Sequence, residues 1–215
     1  MEADMAGNHN PSVAKFLTIY SQSEFSTSGT RGYDSQTYVD TKLDLKLTPR
    51  IYTPETRLVV LTGNAGDGKT AYIQRLESLA RDQGARFSEQ TDNGCTYKMD
   101  GIAYQTLYDG SQDFEGAKND QILKEFFFDL EGTAEPKGAF TKIIAINEGK
   151  LRDFILNKRE YSWLGRQVHH YFESDSFTPH KSLIFINLNL RSVVSENENE
   201  PSIFDLILDR FLDKE

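Results

Sequence analysis

Eight consecutive residues, Gly63-Asn64-Ala65-Gly66-Asp67-Gly68-Lys69-Thr70, match the pattern G-x-x-x-x-G-K-[ST] of a phosphate-binding loop. Glycines at such positions let backbone N–H groups turn towards a polyphosphate, where a Cβ atom would clash. The lysine of such a loop places a positive charge between the β- and γ-phosphates, and the final hydroxyl binds Mg²⁺. The pattern predicts that these residues and the following Ala71 bind a nucleotide, with Lys69 acting in catalysis and Thr70 at the metal.

A phosphate-binding loop needs a strand before it and a helix after it. Residues 58–61 are a short apolar run of strand type, and residues 70–81 carry Ile73, Leu76 and Ala80 at helical spacing before Gly84. A helix that begins here directs its positive N-terminal end at the bound phosphates. The sequence therefore predicts the order strand, glycine-rich loop, helix.

Hydrolysis also needs a carboxylate near the γ-phosphate, commonly at the tip of a neighbouring strand. The apolar run 142–146 is followed by Asn147 and Glu148. We predict that Glu148 orients or deprotonates the attacking water and that Asn147 contacts Mg²⁺ through water, where an aspartate is commonly found. The alternative is that Glu148 is a carboxylate that opens a helix, favoured there by the helix dipole.

A further strand, residues 182–188, leads to Asn187, Asn189 and Arg191. Either asparagine could contact the γ-phosphate or the attacking water, and strand alternation puts both on one side, so the choice stays open. Arg191 could sense phosphate in the same chain or across a subunit interface. It could equally be an ordinary surface arginine.

The remaining pattern predicts an arm over residues 1–38 and a core over residues 39–215. Apolar strand runs separated by helices indicate an α/β fold with a mainly parallel sheet covered on both faces. Residues 39–47 could be a strand, or a helix ended by Pro49. The other predicted elements are a strand over 96–102 and helices over 121–130, 151–156, 164–172 and 203–212.

Composition limits the function classes. With 33 acidic and 24 basic residues the formal net charge is −9, which argues against a generally basic nucleic-acid-coating protein, although DNA stays a possible partner through a local basic face. The lone Cys95 excludes an intramolecular disulfide framework. The first ten residues contain no apolar signal region, and the longest apolar run, 182–190, is less than half a membrane span. We expect a cytoplasmic protein without a membrane segment.

Three strings, RLVVLTGNAGDGKTAYIQRLE, KIIAINEGKLRDF and IFINLNLRSVV, resemble the ATPase core of AAA+ and STAND-like P-loop proteins over residues 39–212. In particular, the chain resembles ATPase subunits of bacterial phage-defence and DNA-restriction systems. The resemblance implies a three-layer α/β/α P-loop NTPase fold that assembles into oligomers or with partner subunits. It also implies that Lys69 and Thr70 form the Walker A pair, Glu148 is the Walker B glutamate, and Asn187 or Asn189 is the sensor-1 residue.

The AAA+ order places a fifth strand beside the first and a helical lid after it, and neither is visible in this sequence. Without the fifth strand, the phosphate-loop strand would be an exposed sheet edge. Either residues 39–47 or residues 16–20 cover that edge, a partner chain supplies the missing part, or the chain is the N-terminal part of a larger ATPase. We favour the last interpretation.

Three functions fit these patterns. The first is a MgATP-hydrolysing switch or motor module. The second is a small phosphotransferase whose acceptor lid carries Arg152, Arg159 and Arg166. The third is a non-hydrolysing, ATP-dependent assembly scaffold. ATP is favoured mildly over GTP, because no guanine-reading N-K-x-D string is present.

Overall fold

A computed structural model describes residues 38–173, 178, 180–190, 202–203, 205–206 and 209. The expected N-terminal arm, apart from position 38, and Arg191 lie outside these residues, as do positions 16–20, one of the two segments expected to cover the edge of the phosphate-loop strand.

The described residues contain one six-stranded sheet in the order β2-β3-β4-β5-β1-β6. Strands β4, β5, β1 and β6 are parallel neighbours, whereas β2, β3 and β4 form an antiparallel meander. The predicted α/β class with a mainly parallel sheet is confirmed. The strands are β1 Leu58–Thr62, β2 Arg86–Thr91, β3 Gly94–Met99, β4 Ile102–Leu107, β5 Phe140–Ala145 and β6 Leu183–Asn187.

Six described helices flank this sheet: α1 Lys42–Lys46, α2 Thr48–Ile51, α3 Lys69–Asp82, α4 Asn119–Phe127, α5 Glu148–Leu156 and α6 Ser162–Glu173. These helices lie on both faces of the sheet. Successive side chains of β1 point alternately into two apolar clusters, one on each face. Leu58 and Val60 belong to a cluster with side chains of α4, α5 and α6. Val59 and Leu61 belong to a second cluster with α2, α3, β3 and β4. Burial on both faces explains why β1 is a continuous apolar run rather than an alternating one.

The expectation that β1 is a sheet edge was wrong. Strand β6 pairs with it in parallel from Leu58 to Thr62, so β1 has a neighbour on each side. Residues 39–47 therefore cover no edge. They contain helix α1 instead, which begins with a capping box formed by Thr41 and Asp44.

The strand expected over residues 96–102 is two strands, β3 and β4, joined by a tight turn. Asp100 has φ 51° and Gly101 has φ 80°, the two positive values that a two-residue hairpin turn of type I′ requires. The preceding strand, β2, was not expected at all. The hairpin β2–β3 and the turn after it extend the sheet on the side of β4.

The other predicted elements are confirmed to within a few residues. Helix α4 continues into a 3₁₀ turn, Phe128–Leu130, as expected for residues 121–130, and α5 and α6 cover the two predicted helices that follow. Of the expected closing helix, the described positions 203, 205, 206 and 209 are helical. None of the described helices is both long enough and apolar enough to cross a bilayer.

Candidate functional site

The loop from Gly63 to Thr70 joins the end of β1 to the first turn of α3. Gly66 and Gly68 have φ values of 89° and 83°, in the left-handed region that residues with a Cβ atom rarely adopt. Residues 58–61, which precede the loop, are completely buried. A rigid strand thus fixes one end of the loop, and the helix fixes the other.

The Lys69 side chain folds back over this loop. Its Nζ donates hydrogen bonds to the carbonyl oxygens of Gly63, at 2.9 Å, and Asn64, at 2.6 Å. Partial burial lowers the pKa of Lys69 from its ordinary value, and the carboxylates of Asp67 and Asp109 oppose that shift. The ammonium group therefore lies at the mouth of the loop, close to two negative charges.

The second half of the loop offers open donors. Within the described part of the chain, no acceptor receives the backbone N–H groups of Gly66, Gly68, Lys69 or Thr70. Three of them lie at the N-terminus of α3, where unsatisfied N–H groups and the helix dipole favour an anion. The first half is different, because the Asn64 N–H donates to Asp67 Oδ2 at 2.5 Å and to Asn189 Oδ1 at 2.9 Å.

A cavity of about 700 Å³ opens in front of the loop. Its walls come from the loop itself, from the β2–β3 turn, from the segment after β4 and from the end of β5. The lining residues outside the loop and α3 are Asp92, Asn93, Tyr108, Asp109, Ser111, Gln112, Asp113, Phe114, Ala145, Ile146 and Asn147.

Asp109, which our sequence analysis did not assign to the site, is a carboxylate in this cavity. It follows β4, and its Oδ1 accepts a hydrogen bond from the Ser111 N–H at 2.8 Å. The Ser111 hydroxyl oxygen in turn accepts the Asn147 N–H at 2.8 Å, which joins the ends of β4 and β5. The side chain of Thr70 reaches the same place, since its hydroxyl donates to the Tyr108 carbonyl at 3.2 Å. Sequence patterning gave no signal for this residue, because the strand expected over residues 96–102 ended well before Asp109, whereas β4 ends at Leu107.

The structure separates the two residues predicted at the end of β5. Asn147 lines the cavity, and its Oδ1 caps α5 by accepting the N–H groups of Gly149, at 2.9 Å, and Lys150, at 3.4 Å. Glu148 is the first residue of α5, its side chain is 40% exposed, and its nearest cation is Arg152 at 3.8 Å. Glu148 is not among the residues that line the cavity. Its position fits the helix-opening alternative, and its role as a base stays a prediction.

The two asparagines after β6 occupy different positions. Asn189 contacts the loop through the Asn64 N–H, whereas the Asn187 side chain accepts the Asn189 N–H at 2.9 Å. Neither is part of the cavity wall. The structure therefore brings Asn189, rather than Asn187, into direct contact with the glycine-rich loop of residues 63–70.

The arginines considered for an acceptor lid point elsewhere. Arg152 lies 3.5 Å from Glu173, and Arg166 donates to the Thr133 carbonyl at 2.8 Å. Neither these two nor Arg159 line the cavity.

The described residues contain no group of three or more His, Cys, Asp or Glu side chains that could hold a metal alone. Mg²⁺ commonly binds through one or two protein oxygens together with substrate phosphates and water. The Thr70 hydroxyl and the Asp109 carboxylate are such oxygens, and they share one cavity with the loop. The donor set therefore fits Mg²⁺ that arrives with a nucleotide.

No protein-family model matches the chain, and neither a curated protein nor a solved structure shows significant similarity to it. What the chain does must be inferred from its own residues.

Proposed function

We propose that this chain binds MgATP in the cavity in front of Gly63–Thr70 and hydrolyses it to ADP and phosphate. One observation carries the proposal: the loop that matches the phosphate-binding pattern presents open N–H groups at the start of α3 and a lysine ammonium at its mouth. Such a site is electrostatically matched to a polyphosphate. The resemblance to AAA+ and STAND-like ATPases points the same way.

Each wall of the cavity has a task in this proposal. The N–H groups of the loop hold the β-phosphate, and Lys69 moves from the loop carbonyls to the β- and γ-phosphate oxygens. Thr70 and Asp109 hold Mg²⁺, which neutralises charge on the phosphate oxygens when bound. Asn147, at the end of β5, and Ser111, in the segment after β4, orient the attacking water, with Glu148 or Asp109 taking its proton.

Three carboxylates, Asp92, Asp109 and Asp113, line this cavity, and Lys69 is the only cationic side chain among the lining residues. A free triphosphate would meet net negative charge there. Mg²⁺ bound to the nucleotide offsets that repulsion. We therefore expect nucleotide binding to depend strongly on the divalent ion.

The two other functions keep a place as alternatives. A phosphotransferase needs cationic side chains over the acceptor, and none of the three arginines considered for this task lines the cavity. A non-hydrolysing scaffold is compatible with Glu148 lying outside the cavity wall. Oligomerisation, action with partner subunits and a role in bacterial phage defence are proposals that rest on the resemblance alone.

The test is phosphate release from ATP and from GTP, with and without DNA, by the parent chain and by Lys69→Ala. We expect Mg²⁺-dependent release from ATP, with at least a 100-fold loss of nucleotide affinity or turnover in Lys69→Ala. Lys181→Ala is the matched control, because Lys181 precedes β6 at the opposite end of the parallel strands.

The proposal of a nucleotide site is falsified if Lys69→Ala binds ATP as tightly as the parent. Binding without phosphate release would favour the scaffold, and release that appears only with an acceptor would favour the phosphotransferase.

A further inference from the structure

Asn93 is a buried polar residue at the tip of a hairpin, although the two positions before it are open to solvent. It lies between β2 and β3, and only 7% of its surface is exposed, whereas Thr91 and Asp92 beside it are exposed. Buried amide groups are costly unless they are hydrogen-bonded. The partners of Asn93 therefore show what the hairpin tip contacts.

Those partners are the backbone of Tyr108 and Asp109. The Asn93 side chain donates from Nδ2 to the Asp109 carbonyl oxygen at 3.1 Å and accepts the Asp109 N–H on Oδ1 at 2.8 Å. Its main-chain carbonyl accepts the Tyr108 N–H at 2.9 Å. One planar amide thus holds both backbone groups of Asp109, which needs a donor and an acceptor side by side.

The contacts of Asn93 with Tyr108 and Asp109 lie beyond the end of the regular pairing between β3 and β4. The β3–β4 ladder pairs Thr96 with Gln105, and beyond it the Cys95 N–H donates to the Thr106 hydroxyl instead of to the main chain. A Cβ atom at Gly94 would overlap the Thr106 carbonyl oxygen, so the hairpin passes very close to β4. Asn93 therefore makes the last contacts between the hairpin and the end of β4, just before the segment that lines the cavity.

These contacts fix the position of Asp109, the residue whose carboxylate we assign to Mg²⁺. With the Asp109 main chain held by Asn93, its Oδ1 is held by the Ser111 N–H at 2.8 Å. Among the described residues no donor occupies its Oδ2. Groups that orient a metal-binding carboxylate commonly change metal affinity 10- to 100-fold when they are removed.

We propose that Asn93 is a positioning residue for the nucleotide-bound metal, holding Asp109 so that its free carboxylate oxygen faces the cavity. This inference rests on the proposed MgATP site. It makes the β2–β3 hairpin part of the nucleotide site, although the hairpin contributes no group to the phosphate-binding loop.

The experiment measures binding of a fluorescent, non-hydrolysable ATP analogue, mant-AMP-PNP, with excess Mg²⁺ and with EDTA. Asn93→Leu keeps about the size of the side chain, adds no charge to the cavity, and can neither donate to the Asp109 carbonyl nor accept the Asp109 N–H. We expect the affinity with Mg²⁺ divided by the affinity with EDTA to fall about 10-fold or more in this variant, with the EDTA affinity within about 2-fold of the parent. Asn93→Ser, which cannot span both groups, should behave in the same way and serves if Asn93→Leu does not fold.

Thr141→Val is the matched control for loss of a buried hydrogen bond. The fully buried Thr141 hydroxyl donates to the Thr56 carbonyl at 2.8 Å, near the beginning of β5 and away from the cavity. This variant should lose stability and keep the parent's Mg²⁺ ratio.

The positioning role would be overturned, and the nucleotide site left intact, by a parental Mg²⁺ ratio in both Asn93 variants, whether their affinities stay at the parent's values or fall equally with Mg²⁺ and with EDTA. A parent chain that does not bind the analogue at all would instead remove the proposed function, and this inference with it.

Discussion

At the residue scale, two carboxylates are candidates for the chemistry that we propose at the γ-phosphate. Asp109 lines the cavity and is held by Ser111, whereas Glu148 begins α5 outside the cavity wall. Both follow strands of the same sheet, β4 and β5, which are parallel neighbours and end at one edge of the sheet. Substitution separates their roles.

We expect Asp109→Asn to lower Mg²⁺-dependent phosphate release about 100-fold, because it removes the negative charge that we propose binds Mg²⁺. Glu148→Gln should lower it less than about 10-fold if Glu148 only opens α5. The measurement is steady-state phosphate release together with the ATP content of the protein after desalting.

Glu148→Gln is also the decisive comparison for the sequence-based assignment. A near-complete loss of phosphate release, with ATP retained on the protein, would make Glu148 the base after all. Asp153→Asn, on the same helix and outside the cavity wall, is the control for changing a carboxylate of α5.

The order strand, glycine-rich loop, helix could be predicted because the residues are contiguous and each type has a local physical reason. Asp109 could not be assigned in this way, because its importance depends on β4 lying beside β5 and on Ser111 reaching Asn147. Asn93 is further from prediction, since its partners lie 15 and 16 positions along the chain. Contacts of that kind are set by folding of the whole sheet.

At the scale of elements, the β2–β3 hairpin is the part of the fold that sequence patterning did not find. Strand β2 reads RFSEQT and is largely exposed, so it has neither the apolar run nor the alternation that marks a half-buried strand. Its turn signal, Asp92-Asn93-Gly94, and the later Asp100-Gly101 were nevertheless present in the sequence. The order of the strands could not be predicted from sequence patterns, because packing across the whole sheet decides which strands pair.

Gly94 tests whether the hairpin is tightly bound to β4. Its φ is 150°, and a Cβ atom would meet the Thr106 carbonyl, so Gly94→Ala should cost about 2–4 kcal/mol of unfolding free energy. Gly84→Ala is the matched control, because Gly84 has φ 81° with open space around it and should cost only about 1 kcal/mol. Urea unfolding measures both.

Equal costs at the two glycines would contradict the close approach of β3 to β4. If the hairpin also acts on the nucleotide site, Gly94→Ala should weaken Mg²⁺-dependent binding in the same sense as the Asn93 variants. Gly84→Ala should leave it unchanged.

At the scale of the whole molecule, the parallel arrangement explains why the site lies where it does. Strands β1, β4, β5 and β6 run in one direction, so their carboxyl ends share one edge of the sheet. The loop after β1, Asp109 after β4, Asn147 after β5 and Asn189 after β6 all lie at that edge. Ligands of open parallel sheets bind there. Polar residues after predicted parallel strands could therefore be expected to meet at one edge of the sheet even before the strand order was known.

Several ionisable side chains, cysteine and tyrosines, are buried in this sheet or in the cores packed against it. Burial raises the pKa of Cys95 from 9.0 to about 12, and the pKa values of Tyr104 and Tyr161 from 10.0 to about 12. The pKa values of Tyr97 and Tyr108 are raised in the same direction, with burial as the largest cause. Because the folded protein keeps these protons to a higher pH than the unfolded chain does, the unfolded chain releases protons first as the pH rises.

Stability should therefore be unaffected by these groups below about pH 8 and should fall as the pH rises through 9 to 12. Each group lowers the unfolding free energy by up to about 1.4 kcal/mol per pH unit between its unfolded and folded pKa values. Cys95 has the lowest unfolded value, so the first part of the loss, near pH 9, belongs to it. Urea midpoints of the parent and Cys95→Ala between pH 7.5 and about 10.5 test this. We expect the variant to have the flatter dependence near pH 9, whereas general repulsion from the net charge would give both proteins the same slope.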